Sequence, residues 1–209
     1  MSNKKRGVFI VVEGLDRSGK STAIELLCDW LNQDKYNSKI IKFPDRTTET
    51  GSLIDSYLKK EIIIQSQQSV HLMFTANRWE LQQLMHNYLQ DGINLLVDRY
   101  SYSGIAFSNA RGLDIQWCKN AESGLLCPDH VFFFEIDTQV AEKRGDYGNE
   151  LYELVNLQNK VKKSYCLLFD NNFWTRIDAS KSVDEIQNIL RPIVVDMLKG
   201  DEFDALQYF

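Results

Sequence analysis

The run "VFIVVEGLDRSGKST", from Val8 to Thr22, constrains this chain more than any other. Val8 to Val12 are apolar and read as a buried strand. A glycine-bearing turn follows, and then Ile24, Leu27 and Leu31 recur at the spacing of one helix face. The turn has the pattern G-x-x-x-x-G-K-S, from Gly14 to Ser21. A strand, such a turn and a helix in that order aim backbone N–H groups and a positive helix end at a phosphate. The candidate phosphate-binding residues are Gly14, Ser18, Gly19, Lys20, Ser21 and Thr22. Lys20 would reach the β- and γ-phosphates and Ser21 would carry Mg²⁺. The loop implies a bound nucleoside triphosphate and leaves GTPase switches, ATPases and kinases open. Two of its variable positions are charged, Asp16 and Arg17, although small residues fit beside a phosphate most easily.

Further short apolar runs alternate with helical patterns. Lys39 to Phe43, Ile93 to Val97, Val131 to Ile136 and Trp174 to Ile177 read as strands. Helical spacing runs through Leu53, Ile54, Tyr57 and Leu58, along Ser69 to Gln90, and along Val183 to Leu198. This alternation predicts a parallel sheet covered on both faces. Chemistry then belongs beyond the strand ends, just after Val12, Phe43, Val97 and Ile136. The 209 residues hold three prolines and no low-complexity linker, so one domain spanning 1–209 is expected.

The net charge of −5 argues against a nucleic-acid partner. An anionic substrate must therefore be held by a local arginine cluster. The four cysteines form no C-x-x-C pair and read as reduced thiols of an intracellular protein. The apolar run after "MSNKKRG" is too short for a signal peptide. No stretch approaches the ~20 apolar residues of a membrane span, so no membrane partner is expected. The expected compartment is the cytosol, with the nucleus open to diffusion.

The segments after the other strands carry charge. In "FPDR", Arg46 reads equally as a fork for a phosphate or as an exposed loop arginine. In "VDRYSYSG", Asp98 reads as a carboxylate that holds a magnesium-bound water, in preference to a helix cap, because Arg99 adjoins it. In "FTANRWE", Phe74 and Arg78 share a helix face, where a ring could stack on a base and a guanidinium bond its edge. Spacing alone favours Phe74 in the core and Arg78 as a surface charge. "EKRGDYGNELYE", from Glu142 to Glu153, reads equally as a lid or a solvated loop, with Gly145 and Gly148 as hinges. His71, His86 and His130 read as structural, and the cysteines and tryptophans as packing. A GTPase would need D-x-x-G after the third strand, where "DRYS" stands. A deoxynucleoside kinase would need a carboxylate base, whereas Arg46 and Arg99 favour a phosphate acceptor. A module that only binds would not need Arg17, Asp98 and Arg99 together.

Taken in order, "EGLDRSGKST", "FPDR", "ANRWE", "VDRYSYSGIAF" and "YGNELYE" resemble the thymidylate kinase family of nucleoside monophosphate kinases over nearly the whole chain. The eukaryotic and poxviral branch, with an arginine in the phosphate loop and no catalytic arginine in the lid, is the most similar. The resemblance implies a P-loop nucleoside monophosphate kinase fold: a five-stranded parallel sheet, helices on both faces and a short lid near 142–153. It implies ATP and Mg²⁺, dTMP as acceptor, and a homodimer. By position it implies that Arg46 and Arg99 grip the dTMP phosphate. Phe74 stacks on thymine and Arg78 bonds its exocyclic oxygen. Phe43, Ser103, Gly104 and Phe107 line the acceptor pocket. Asp16 reaches the 3′-hydroxyl and Tyr152 packs near the sugar. Arg17 and Lys20 hold the transferring group, with Mg²⁺ on Ser21 and, through water, Asp98. Arg144 packs on adenine and Lys181 approaches it. Asp45 stands where glutamate is common in the family, and Leu151 where an arginine can occur. The second departure agrees with Arg17 as the donor-side charge.

Overall fold

A computed structural model describes residues 5–137, 151–152, 155–200 and 205–209. Five strands form one sheet: β1 (Phe9–Gly14), β2 (Ser38–Lys42), β3 (Asn94–Asp98), β5 (His130–Glu135) and β6 (Trp174–Asp178). Their order is β2-β3-β1-β5-β6, and every pairing is parallel. β1 and β3 run side by side with Val12 opposite Asp98. The chain builds β2 and β3 on one side of β1, then crosses to build β5 and β6 on the other. The crevice at the C-terminal ends of β1 and β3 lies at that reversal, where an open parallel sheet binds its ligand. A second, antiparallel ribbon pairs β4 (Leu126–Cys127) with β7 (Gln207–Tyr208).

The inner strands β1, β3 and β5 are near-continuous apolar runs because both sheet faces are covered there, whereas β2 and β6 at the sheet edges are partly exposed. Phe9, Ile10, Val11, Val12, Leu95, Leu96 and Val97 are all fully buried. α1 (Lys20–Gln33) and α7 (Val183–Lys199) pack together on one face. α3 (Gln67–Gln90), α4 (Ser101–Ala110), α5 (Ile115–Ala121) and α6 (Val155–Leu168) form the other group. α2 (Glu49–Leu58) leans on α3 through Ile54, Tyr57, Leu58, Val70 and Met73, a small core of its own. The five expected strands are present within one or two residues. The lid expected near 142–153, with Gly145 and Gly148, lies outside the described residues except for Leu151 and Tyr152. No described helix is long and apolar enough to cross a membrane.

All four cysteines are free thiols, and His71 is a buried, hydrogen-bonded core residue. The tryptophans divide. Trp174 is buried, but Trp79 and Trp117 are exposed, so reading all of them as packing is corrected. Cys166 is exposed as well. A helix face covered by solvent or by another chain carries the same apolar letter as one covered by the core, which is why the sequence did not separate them.

Candidate active site

The phosphate loop links β1 to α1. Gly19 sits at the N-cap with φ 84°, so the first turn of α1 opens directly on the loop and no side chain caps it. Arg17 also has a positive φ, 61°. Lys20 is buried, and its ammonium donates to the Leu15 carbonyl at 2.6 Å and to Ser18 Oγ at 3.2 Å. Burial, helped by the nearby Arg99 charge, lowers the Lys20 pKa to about 8. Ser21 Oγ donates to Asp98 Oδ2 at 2.7 Å across β1 and β3. Asp98 Oδ1 is buried with no hydrogen-bond partner among the described residues. A hydroxyl beside a carboxylate with one uncommitted buried oxygen is a hard-oxygen donor set that suits a hydrated Mg²⁺. Asp98 is not the cap of α4; that position is Tyr100.

One cavity of about 480 Å³ opens beside this loop. Its wall includes Asp16, Arg17, Ser18, Gly19, Lys20, Ser21, Thr22 and Asp98 from the donor side. It also includes Phe43, Arg46, Phe74, Arg78, Arg99, Ser103, Gly104, Phe107 and Tyr152, so every residue expected around an acceptor shares this space. Gly14 contributes its carbonyl, which accepts from Arg99 Nη1 at 3.0 Å. Lys181 is not in the wall; it is exposed after β6, with its amino group 4.0 Å from Glu185. Arg144 lies outside the described residues.

Arg99 leaves β3 with φ 66° and turns back over the loop. It donates to Asp16 Oδ1 and to Ser103 Oγ, and its guanidinium lies 5.7 Å from the Phe107 ring centre. Asp16 also accepts from Gln158 Nε2 at 2.6 Å. Arg46 is exposed and pairs with Asp55 at 2.7 Å. Two readings drawn from spacing alone are corrected here. Arg78 is buried, not a surface charge, and pairs with Glu122. Phe74 is only half-buried: it packs against the small α2–α3 core and also lines the cavity. Tyr152 stacks 6.2 Å from Phe74 and lies 5.3 Å from Phe107, and its hydroxyl accepts from Arg111 Nη1 at 3.0 Å.

Several supporting residues were missed by sequence reasoning. Glu13 directly follows the apolar run Val8 to Val12. It is fully buried within β1 and accepts from the Tyr100 and Ser103 N–H groups at 2.9 and 3.0 Å, and from Tyr165 OH at 2.8 Å. A carboxylate inside an apolar strand was the signal. Burial raises its pKa, against the pull of Ser103 and Arg99. Asn77 clamps the Arg46 loop by donating to the Asp45 carbonyl at 3.0 Å and accepting from its N–H at 2.8 Å. Its place beside Arg78 in "ANRWE" was a weak pointer. Glu122 and Gln158 carried no local signal.

A parallel sheet with a phosphate loop after its central strand, and an arginine-lined pocket sharing one cavity with that loop, defines a P-loop nucleoside monophosphate kinase. Comparison with known proteins narrows the class. The family profile described as thymidylate kinase matches residues 12–189. The thymidylate kinase of Schizosaccharomyces pombe is 42% identical over 99% of this chain and 100% of that protein. The human thymidylate kinase is 38% identical over 93% of each chain. The solved structure of the thymidylate kinase of Candida albicans superposes with a TM-score of 0.89 at 36% identity, covering 98% of both chains. The chain belongs to the thymidylate kinase family.

Proposed function

We propose that this enzyme transfers the γ-phosphoryl group of ATP to dTMP, giving dTDP and ADP. One observation carries the reading: Lys20 and Ser21 line the same cavity as Phe74, Arg78, Arg99 and Arg46. Donor-phosphate, acceptor-phosphate and base contacts thus fall within one cavity.

An oxygen of the acceptor phosphate attacks the γ-phosphorus as the bond to the β–γ bridging oxygen breaks, and ADP leaves with that electron pair. The attacking oxygen is already anionic, so no proton is removed and no general base is required. Catalysis is then positioning plus charge stabilisation around a loose transition state. Arg46 and Arg99 orient the acceptor phosphate, Phe74 stacks on the base, and Arg78 donates to its exocyclic oxygen. Asp16 receives the 3′-hydroxyl, and Tyr152 and Phe107 pack beside the sugar. Lys20 and Arg17 stabilise the group in transfer. Ser21 and, through water, Asp98 would hold Mg²⁺, which when bound neutralises charge on the β- and γ-oxygens. Lys181, outside the cavity wall, would approach the adenine of bound ATP.

We also propose a homodimer. Leu72 and Trp79 lie two helical turns apart on α3 and are exposed, as is Leu53 on the neighbouring α2. Exposed apolar residues clustered on adjoining helices favour burial against a second copy.

The decisive experiment measures ADP release from ATP with dTMP, thymidine, UMP, dCMP or AMP as acceptor. Fastest turnover of dTMP is expected. Turnover of AMP or UMP as fast as that of dTMP would reject the reading.

A further inference from the structure

Arg78 is sealed into protein on the acceptor side of the cavity, at 2% exposure. A buried guanidinium needs a carboxylate partner. Glu122, in the turn after α5, supplies one while being 0% exposed itself. The contact is two-pronged: Arg78 Nε donates to Glu122 Oε2 at 2.7 Å, and Nη2 donates to Oε1. Such a fork fixes the plane of the guanidinium as well as its position. Thr75 Oγ1 donates to Glu122 Oε1 at 2.7 Å and also accepts from Arg78 Nη2 at 3.3 Å. His71 stands 3.5 Å from the same Oε1 and is anchored at Ser108 Oγ and the Cys118 carbonyl.

The opposite side is closed by backbone. A Cβ added at Gly104 would lie 2.6 Å from Arg78 Nη2 and 3.2 Å from Nη1. Only glycine lets α4 approach this closely. With Nε and Nη2 committed, Nη1 has no hydrogen-bond partner among the described residues, and Arg78 reaches the cavity wall.

We propose that Glu122 is a positioning residue that sets base specificity: it locks Arg78 and neutralises its charge, so that Nη1 alone reads an acceptor atom on the base. The inference rests on the acceptor reading given above. An arginine free to rotate could accept several edges or pair with a phosphate. A locked and neutralised one acts as a single fixed donor. It favours a pyrimidine with an oxygen at position 4 over one with an amino group there. A site built to bond one polar group rejects an analogue that leaves its own donor unpaired.

The test compares Glu122→Gln with the unaltered enzyme, using dTMP and dCMP as acceptors under saturating ATP and Mg²⁺. Losing one charged hydrogen bond predicts a rise of about tenfold in KM for dTMP. The kcat should hold within roughly twofold, as for a group that positions substrate. The preference for dTMP over dCMP should fall by about the same tenfold factor. A lower melting temperature with KM and preference unchanged would make Glu122 a packing residue and overturn the proposal. If Glu122→Gln yields no folded protein, Thr75→Val decides. It removes only the hydroxyl on Glu122 and should raise KM for dTMP about threefold, with reduced preference; no change in either overturns the proposal. Failure of the unaltered enzyme to phosphorylate dTMP would instead overturn the acceptor reading, and this inference with it.

Discussion

Three arginines line the cavity opposite the phosphate loop, and each has a carboxylate partner, but the pairs differ in exposure. The Arg46 and Asp55 side chains are 39% and 24% exposed, Arg99 and Asp16 are 16% and 22%, and Arg78 and Glu122 are 3% and 0%. An exposed pair contributes little net stability, so an incoming phosphate can take over Arg46 at small cost, while the half-buried Arg99 pair lies between the two extremes. The buried pair does not exchange. Arg17 belongs to the donor side, and its φ of 61° makes it a tractable target, because glycine adopts that conformation without strain. Arg17→Gly should lower kcat by ~10³, the lower end for an arginine at a phosphoryl transition state, with KM for dTMP nearly unchanged. Arg46→Ala should raise KM for dTMP, since it removes a contact made in the ground state. Steady-state kinetics with varied dTMP separate the two. Near-normal kcat in Arg17→Gly would remove Arg17 from the mechanism. A different residue contributes to acid sensitivity. Burial holds the His130 pKa down at about 4, from an ordinary value of 6.5. Below about pH 6.5 the unfolded chain binds a proton that the folded one refuses until about pH 4. Stability should therefore fall as pH drops through that window, by as much as about 3 kcal/mol, and level off below it. Denaturant melts at pH 7 and pH 4.5 should show the loss, and His130→Phe should reduce it.

At the scale of elements, β1, β3 and β5 were legible because each is a continuous apolar run that must be covered on both sides, and the edge strands β2 and β6 were legible as shorter apolar stretches between helical patterns. The loops after them were legible as places, since a parallel sheet binds at its C-terminal edge. The ribbon of β4 and β7 was not legible, because two residues per strand carry no period and the partners lie 80 and 82 positions apart. The roles of Arg78 and Phe74 needed the third dimension as well. Helical spacing says which residues share a face; it does not say that one face is half core and half cavity. Glu122 was invisible for the same reason, being an acidic letter at the end of a short helix until α3 is packed over it. α7 offers a direct test of local coding. Ser182 accepts from the Glu185 N–H at 3.3 Å, and Glu185 Oε2 accepts from the Ser182 N–H at 2.9 Å. Ser182→Ala should cost ~1 kcal/mol, seen as a melting temperature lower by about 2–4 °C. KM for dTMP should be unaffected, because α7 packs on α1 away from the acceptor wall.

Across the whole molecule, net charge and site charge have opposite signs. The chain carries −5, yet the cavity wall holds six basic side chains, Arg17, Lys20, Lys42, Arg46, Arg78 and Arg99, against two acidic ones, Asp16 and Asp98. A positive cleft in a negative body draws phosphates to one place and discourages adhesion elsewhere. The proposed homodimer is testable at this scale. Trp79→Glu should shift sedimentation from twice the 24.3 kDa chain mass to a single one, and an unchanged dimer would place the interface elsewhere. Glu122 has one more consequence. It touches Arg78 but is not part of the cavity wall. A directed-evolution library that randomises only the pocket surface would leave it untouched. New base preferences would then have to be selected against a guanidinium still held in its old orientation. Diversifying positions 75, 78, 104 and 122 as one block is the route the packing allows.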